Sequence, residues 1–170
     1  FKSFSKSHKN SCLIIFDAHA DCMHNINPPT HEDWLRAVIE QGFNPNNVIL
    51  VGLRNVHPIE HEFLNMHKPH LFYCKQLFNN IEEECDSIME IARKFDNIYL
   101  SIDIDVLDSA FAPGTSYPEA AGLTTRELVY LLQRIKLLNI KSVDIVEVNP
   151  DKDISSITTR AAAKIIAELF

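Results

Sequence analysis

The sequence predicts an α/β fold of three layers, α/β/α, built on a mainly parallel sheet. Three observations carry this. Short apolar runs alternate with longer segments of helical period, the pattern of a parallel sheet with helices on both faces. The run at 48–53 is wholly apolar, as expected of a strand buried on both faces. Two other runs end in carboxylates, where open α/β sheets gather ligands and catalytic groups.

Taken in order, residues 11–16 read as a strand ending in Asp17-Ala18-His19-Ala20-Asp21. Residues 23–30, with Pro28-Pro29, read as a loop. Thr30, with Asp33 three residues on, is placed to cap a helix over 31–41, which Gly42 stops. A strand at 48–53 follows, and Pro58 opens a helix to about Met66. After a short strand at 70–74, residues 80–95 carry Ile81, Cys85, Ile88, Ile91 and Ala92 at helical spacing. Residues 97–104 form the second strand with an acidic end, Asp103-Ile104-Asp105. A loop at 108–122 contains Pro113-Gly114 and Pro118. Thr124 and Glu127 form a capping box for a helix over 124–138. A strand at 141–148 and a helix at 155–170 complete the chain. Neither a repeat nor a linker divides it, so 1–170 reads as a single domain. The polar, basic opening from Phe1 to Lys9 runs straight into a core strand. It reads as a chain that begins in mid-fold, so the domain is expected to be partial.

A chain of 170 residues, 46% apolar, is enough for one domain with a substantial core. A net charge of −7 weighs against nonspecific nucleic-acid binding. No apolar run approaches the roughly 20 residues that span a membrane, and no signal peptide is visible. Cys12, Cys22, Cys74 and Cys85 show neither a paired motif nor a framework spacing. They read as reduced thiols of a cytoplasmic protein.

The two acidic motifs supply five candidate metal ligands: Asp17, His19, Asp21, Asp103 and Asp105. Alternate residues share a direction on extended backbone, so each motif can present its ligands to one side. Four carboxylates brought together repel unless a cation neutralises them, and two ions suit the charge better than one. An oxygen-rich set with one imidazole suits manganese better than a structural zinc site. A carboxylate bridging two ions lets both polarise one water, giving hydroxide near neutral pH. That nucleophile can attack an unreactive carbon such as that of a guanidinium or amide. Either motif alone is a weak signal; both following buried strands of one domain is the stronger one.

These residues resemble a known family. Phe16-Asp17-Ala18-His19-Ala20-Asp21 resembles the Asp-Ala-His-x-Asp motif of the ureohydrolases, the arginase and agmatinase superfamily. Ser101-Ile102-Asp103-Ile104-Asp105-Val106-Leu107-Asp108 resembles their second signature. It continues through Phe111-Ala112-Pro113-Gly114-Thr115 to Ala121-Gly122-Leu123-Thr124. Asp144-Ile145-Val146-Glu147-Val148-Asn149-Pro150 resembles a third family strand. The matches run from Ser11 to the C-terminal helix.

The resemblance implies an arginase-like fold and a binuclear manganese hydrolase that cleaves a guanidino compound, a linear amidine, to urea and an amine. Asp17 and Asp103 would bridge two Mn²⁺ ions. His19 and Asp105 would complete one ion, and Asp21 would serve the other. Asp105 would also hold the hydroxide and pass its proton to the leaving amine. Glu147 would pair with the guanidinium, and His31 matches the loop histidine expected to shuttle protons. A homo-oligomer, trimer or hexamer, is implied, with no nucleic-acid or membrane partner.

Departures from the pattern bear on substrate. The family's remaining ligand, a histidine in a Gly-Gly-Asp-His stretch before the first motif, is not in this sequence, so one of the two ion sites is expected to be incomplete here. Ser109 stands where the family usually has proline, and Tyr117 where it has a small threonine. His57 replaces the aspartate that reads an α-amino group in arginases. Met23 and His24 lie where arginases have an asparagine near the α-carboxylate. An agmatinase-like substrate is expected in place of arginine. Two competing readings are a catalytically impaired structural or regulatory subunit and a haloacid-dehalogenase-type phosphatase. In the latter, Asp103 would be the nucleophile and Asp105 the acid. It leaves Asp17–Asp21 unexplained.

Overall fold

The structure, a computed structural model, describes all residues from Phe1 to Phe170. Five strands form one sheet: β1 (Ser11–Phe16), β2 (Val48–Leu53), β3 (His70–Tyr73), β4 (Asn97–Asp103) and β5 (Ile140–Val146). Their order is β3-β2-β1-β4-β5, and every neighbouring pair is parallel. The seven α-helices are α1 (Lys2–Ser7), α2 (Trp34–Glu40), α3 (Pro58–His67), α4 (Cys74–Asn79), α5 (Ile81–Ala92), α6 (Thr125–Ile135) and α7 (Ile157–Leu169). This is the expected three-layer architecture.

The side chains of β1 alternate between two cores, as the two-residue period of a strand requires. Ile14 and Phe16 join the larger cluster, with Ile88 of α5, Leu128, Leu131 and Leu132 of α6 and Ile165 of α7. Leu13 and Ile15 join the smaller one, with Leu35 and Ile39 of α2 and Phe63 and Leu64 of α3. All six residues of β1 are buried, and each large apolar side chain so placed contributes roughly 1.5–3 kcal/mol. The central strand is therefore fixed from both faces, and its C-terminal end is a rigid platform. Phe16 lies opposite Ile102 in the β1–β4 ladder, so Asp17 and Asp103 emerge side by side.

Several sequence expectations hold in detail. Pro58 is the first residue of α3, and His57 with Glu60 closes a capping box there. Thr124 and Glu127 form the expected capping box of α6.

Others are corrected. The helix expected over 31–41 begins only at Trp34, and Thr30 does not cap it. The carboxylate of Asp33 instead accepts from the amides of Ile26 and Thr30, and this folds 26–33 into a loop. The basic opening segment forms α1, not anticipated, because Phe1 and Phe4 pack edge-on against Tyr99 at 5.4 and 5.2 Å. The strand at 70–74 stops at Tyr73, where α4 begins. Cys74 turns inward to donate its thiol to Gly52 O at 3.1 Å. β5 ends at Val146, because Glu147 takes a left-handed backbone (φ 62°). No helix is long and apolar enough to cross a membrane.

Candidate metal centre

Both acidic motifs leave their strands through the same local device. Asp17 Oδ1 accepts from the amide of His19 at 2.7 Å, and Asp103 Oδ1 accepts from that of Asp105 at 2.9 Å. An aspartate bonding the amide two residues on turns the backbone at the strand end. The two turns are laced together, since Asp105 Oδ1 accepts from Ala18 N at 3.1 Å. His19 then lies with Nδ1 2.9 Å from Asp105 Oδ2 and 3.5 Å from Asp17 Oδ1. One ligand atom from each of Asp17, His19 and Asp105 falls within 4.8 Å of the others.

Asp21 and Asp103 face the same cavity, of about 290 Å³, as do His31 and Glu147. Asp21 adopts a left-handed φ of 50°, and its Oδ2 accepts the indole N–H of Trp34 at 2.6 Å. The structure thus gathers every sequence-predicted residue around one cavity. Asp17, His19 and Asp105 form its tight centre. His31 stands at the rim, exposed, its ring 5.7 Å from that of Tyr117.

The electrostatics fit a cation. Asp17, Asp103 and Asp105 are buried. No lysine or arginine pairs with any of the four aspartates; the only cationic partner is the imidazole of His19. Burial first, then the charges of Asp17 and Asp105, pushes Asp103 up to about 10. Burial pushes Asp17 up to about 7 against the opposing hydrogen bond from His19, with the charge of Asp105 adding to the rise. Asp21 is raised by burial and by the charge of Asp17. Burial alone would lower His19, but hydrogen bonds to Asp105 and Asp17 hold it charged, up to about 11. In a metal-free nest the protein compensates buried carboxylates with protons. A divalent ion would do so with direct coordination.

Arg54, which sequence reading did not single out, organises the surroundings. Its guanidinium donates to the carbonyls of Asp105 (2.6 Å), Leu107 (3.2 Å), Glu119 (3.0 Å) and Ala120 (2.9 Å). Its own amide bonds Ala18 O at 3.0 Å. Trp34, Asn55 and Glu119 were missed as well. Asn55 and Glu119 reach the site from segments distant in sequence and Trp34 from the start of α2, and no spacing rule signals these contacts. Behind the centre, Asp144 accepts from Tyr99 and Ser101 hydroxyls at 2.5 and 2.6 Å and lines the cavity. A second cavity adjoins the first, sharing His19, Asp21, His31 and Tyr117. It is lined further by Glu32, Asn55, His57, Glu60 and Glu119, with no lysine or arginine.

A parallel α/β sheet carrying a carboxylate-rich cluster, a candidate cation site, at the ends of two adjacent strands defines the class. The Arginase family profile matches residues 1–170, and the chain belongs to that family. It is 31% identical over 170 residues to an agmatinase of Escherichia coli (strain SE11), covering 99% of this chain and 54% of that protein. It is 33% identical over 173 residues to an agmatinase of Bacillus subtilis (strain 168), covering 99% and 57%. The chain therefore spans about half the length of the curated relatives it matches.

Among solved structures, formimidoylglutamase from Bacillus subtilis superposes with a TM-score of 0.92 at 26% identity, covering 99% of this chain and 55% of that one. Proclavaminate amidino hydrolase from Streptomyces clavuligerus gives 0.88 at 28% identity, covering 99% and 57%. Family membership sets aside the phosphatase reading of Asp103 and Asp105.

Proposed function

We propose that this chain carries the metal centre of a manganese-dependent ureohydrolase that cleaves a guanidino compound to urea and an amine, agmatinase-like more than arginase-like. The observation that carries this is the convergence of Asp17, His19 and Asp105 within one ligand group, with Asp21 and Asp103 on the same cavity. In this reading Asp17 and Asp103 would serve both ions, His19 and Asp105 would hold one, and Asp21 would hold the other. When bound, such ions would lower the pKa of water enough to make it a nucleophile near neutral pH.

The chain's own groups do the rest. Glu147, held on the cavity wall by its left-handed backbone, offers a planar carboxylate to a planar guanidinium. Asp105 accepts the nucleophile's proton and returns it to the departing amine. His31, exposed at the rim, carries protons between that amine and solvent. The second cavity favours a cationic over an anionic substrate tail, because Glu32 and Glu119 face it and no basic side chain does. His57 there is bound by the Ile59 amide as a helix cap, which also speaks against an arginase-type α-amino pocket. The 170 residues belong to one domain in this reading, and the assembly is homo-oligomeric.

The test is urea release from the manganese-loaded protein over guanidino amines, guanidino acids and arginine in parallel. Urea from a guanidino amine, with arginine turned over slowly or not at all, is the expected result. No urea from any guanidino compound by metal-loaded protein overturns the reading and favours the impaired-subunit alternative.

A further inference from the structure

We propose that Glu119 is a positioning residue for the imidazole of His19: its carboxylate takes the Nε2–H, which leaves Nδ1 as the nitrogen presented to metal. This rests on the metal centre proposed above and adds a residue to it.

The ring has two distinct environments. Nδ1 lies 2.9 and 3.5 Å from the oxygens of Asp105 and Asp17, inside the ligand group. Nε2 faces away, 3.5 Å from Glu119 Oε1 and 3.5 Å from Asn55 Nδ2. Once Nδ1 gives its lone pair to an ion, Nε2 must carry the proton and needs an acceptor. The Asn55 nitrogen cannot serve, because it is a donor already committed to Glu119 Oε1 at 2.6 Å. Glu119 is the carboxylate within reach, and Asn55 holds it in place. A carboxylate on the remote N–H of a ligating histidine fixes the tautomer and raises the basicity of the ligand nitrogen.

The backbone shows why Glu119 sits there. Glu119 O accepts from Arg54 Nη2 at 3.0 Å, and the same nitrogen donates to Asp105 O at 2.6 Å. One guanidinium thereby sets the spacing between a candidate ligand and the loop that carries Glu119. Glu119 O also accepts from Ser109 N at 3.1 Å. A proline at position 109, the usual family residue, has no N–H to give. The departure at Ser109 thus adds a tether to the loop that places Glu119.

The experiment measures manganese affinity in the full chain for the unaltered protein, Glu119→Gln and Glu119→Ala, with melting temperature in chelator as the fold control. The side chain is half-buried and belongs to neither apolar cluster, so both variants should melt close to the parent. Loss of the carboxylate in Glu119→Ala should weaken manganese binding by about 10–100-fold. Glu119→Gln, whose amide oxygen still accepts from Nε2–H, should fall between the two. Equal affinity in all three overturns the inference, as does an equal loss in Gln and Ala accompanied by a lowered melting temperature. If the unaltered protein binds no manganese, the metal centre itself is refuted and the role of Glu119 falls with it. That outcome is distinct from binding that ignores residue 119.

Discussion

The indole of Trp34 donates its Nε1–H to Asp21 Oδ2 at 2.6 Å. The first turn of α2 is thereby tied to the last aspartate of the first acidic motif. This contact explains how Asp21, one residue beyond a buried alanine and in a left-handed conformation, keeps its carboxylate on the cavity. A hydrogen bond to a charged acceptor is worth roughly 1.5–3 kcal/mol. Trp34→Phe should retain the packing but weaken the ion served by Asp21 by about 10–100-fold. The second step of a manganese titration, on a chain with a complete ligand set, would show this. Unchanged affinity in both steps would remove Trp34 from the site.

Asp103 should matter in opposite directions with and without metal. Asp103→Ala removes a ligand that the proposed centre would share between its ions and should abolish tight manganese binding. In chelator, Asp103→Asn should raise the melting temperature above neutral pH, because it deletes a buried carboxylate that burial already pushes up to about 10. A melting temperature that falls in chelator would contradict the buried-charge account.

The metal-free chain should lose stability as pH rises. Asp17 and Asp103 have folded values above the unfolded carboxylate range, and His19 lies above the usual imidazole value. Each group binds its proton more tightly when folded. Their contribution is complete below the unfolded value and is lost as pH climbs through the folded one. Melting temperature in chelator should therefore decline from about pH 4 to about 11, with the Asp17 contribution exhausted near 7, that of Asp103 near 10 and that of His19 near 11. Saturating manganese should oppose the decline, because ions replace those protons. A flat chelator profile would contradict the values assigned to the nest.

Gly52 is required by its backbone and by the room available. It has φ 101°, and a Cβ there would lie 2.5 Å from Val106 Cγ2 and 3.2 Å from Asp17 O. Gly52→Ala should destabilise the fold by roughly 1–3 kcal/mol from backbone strain alone. It should also displace the strand end bearing Asp17, so metal affinity drops with stability. A chemical-denaturation midpoint within error of the parent would contradict this.

His31→Ala should lower turnover by about 10²-fold if the residue moves protons, with metal content unchanged. An unaffected rate would take His31 out of the mechanism.

Much of this arrangement was legible in the sequence because it rests on local pattern. Apolar runs marked β1, β2 and β4, and carboxylates at two of their ends marked the site. The Thr124–Glu127 and Pro58 signals set helix starts correctly. What was illegible depended on which groups meet once the chain turns, whether from near or far in sequence. Thr30 has the chemistry of a cap, but Asp33 collects the amides of Ile26 and Thr30, so the helix starts later. Glu119 gains its place through Arg54 and Ser109, and Trp34 through the turn of Asp21. None of these follows from residue spacing. The edge position of β5 also hides from periodicity, since its residues are half-buried and not alternating.

The most direct test of the central claim is manganese content per chain, by elemental analysis after loading and removal of free ion, for the parent and Asp103→Ala side by side. Bound manganese in the parent, rising to two ions in a chain with a complete ligand set, and its loss in Asp103→Ala are predicted. No retained manganese in the parent, or equal retention in Asp103→Ala, would contradict the account.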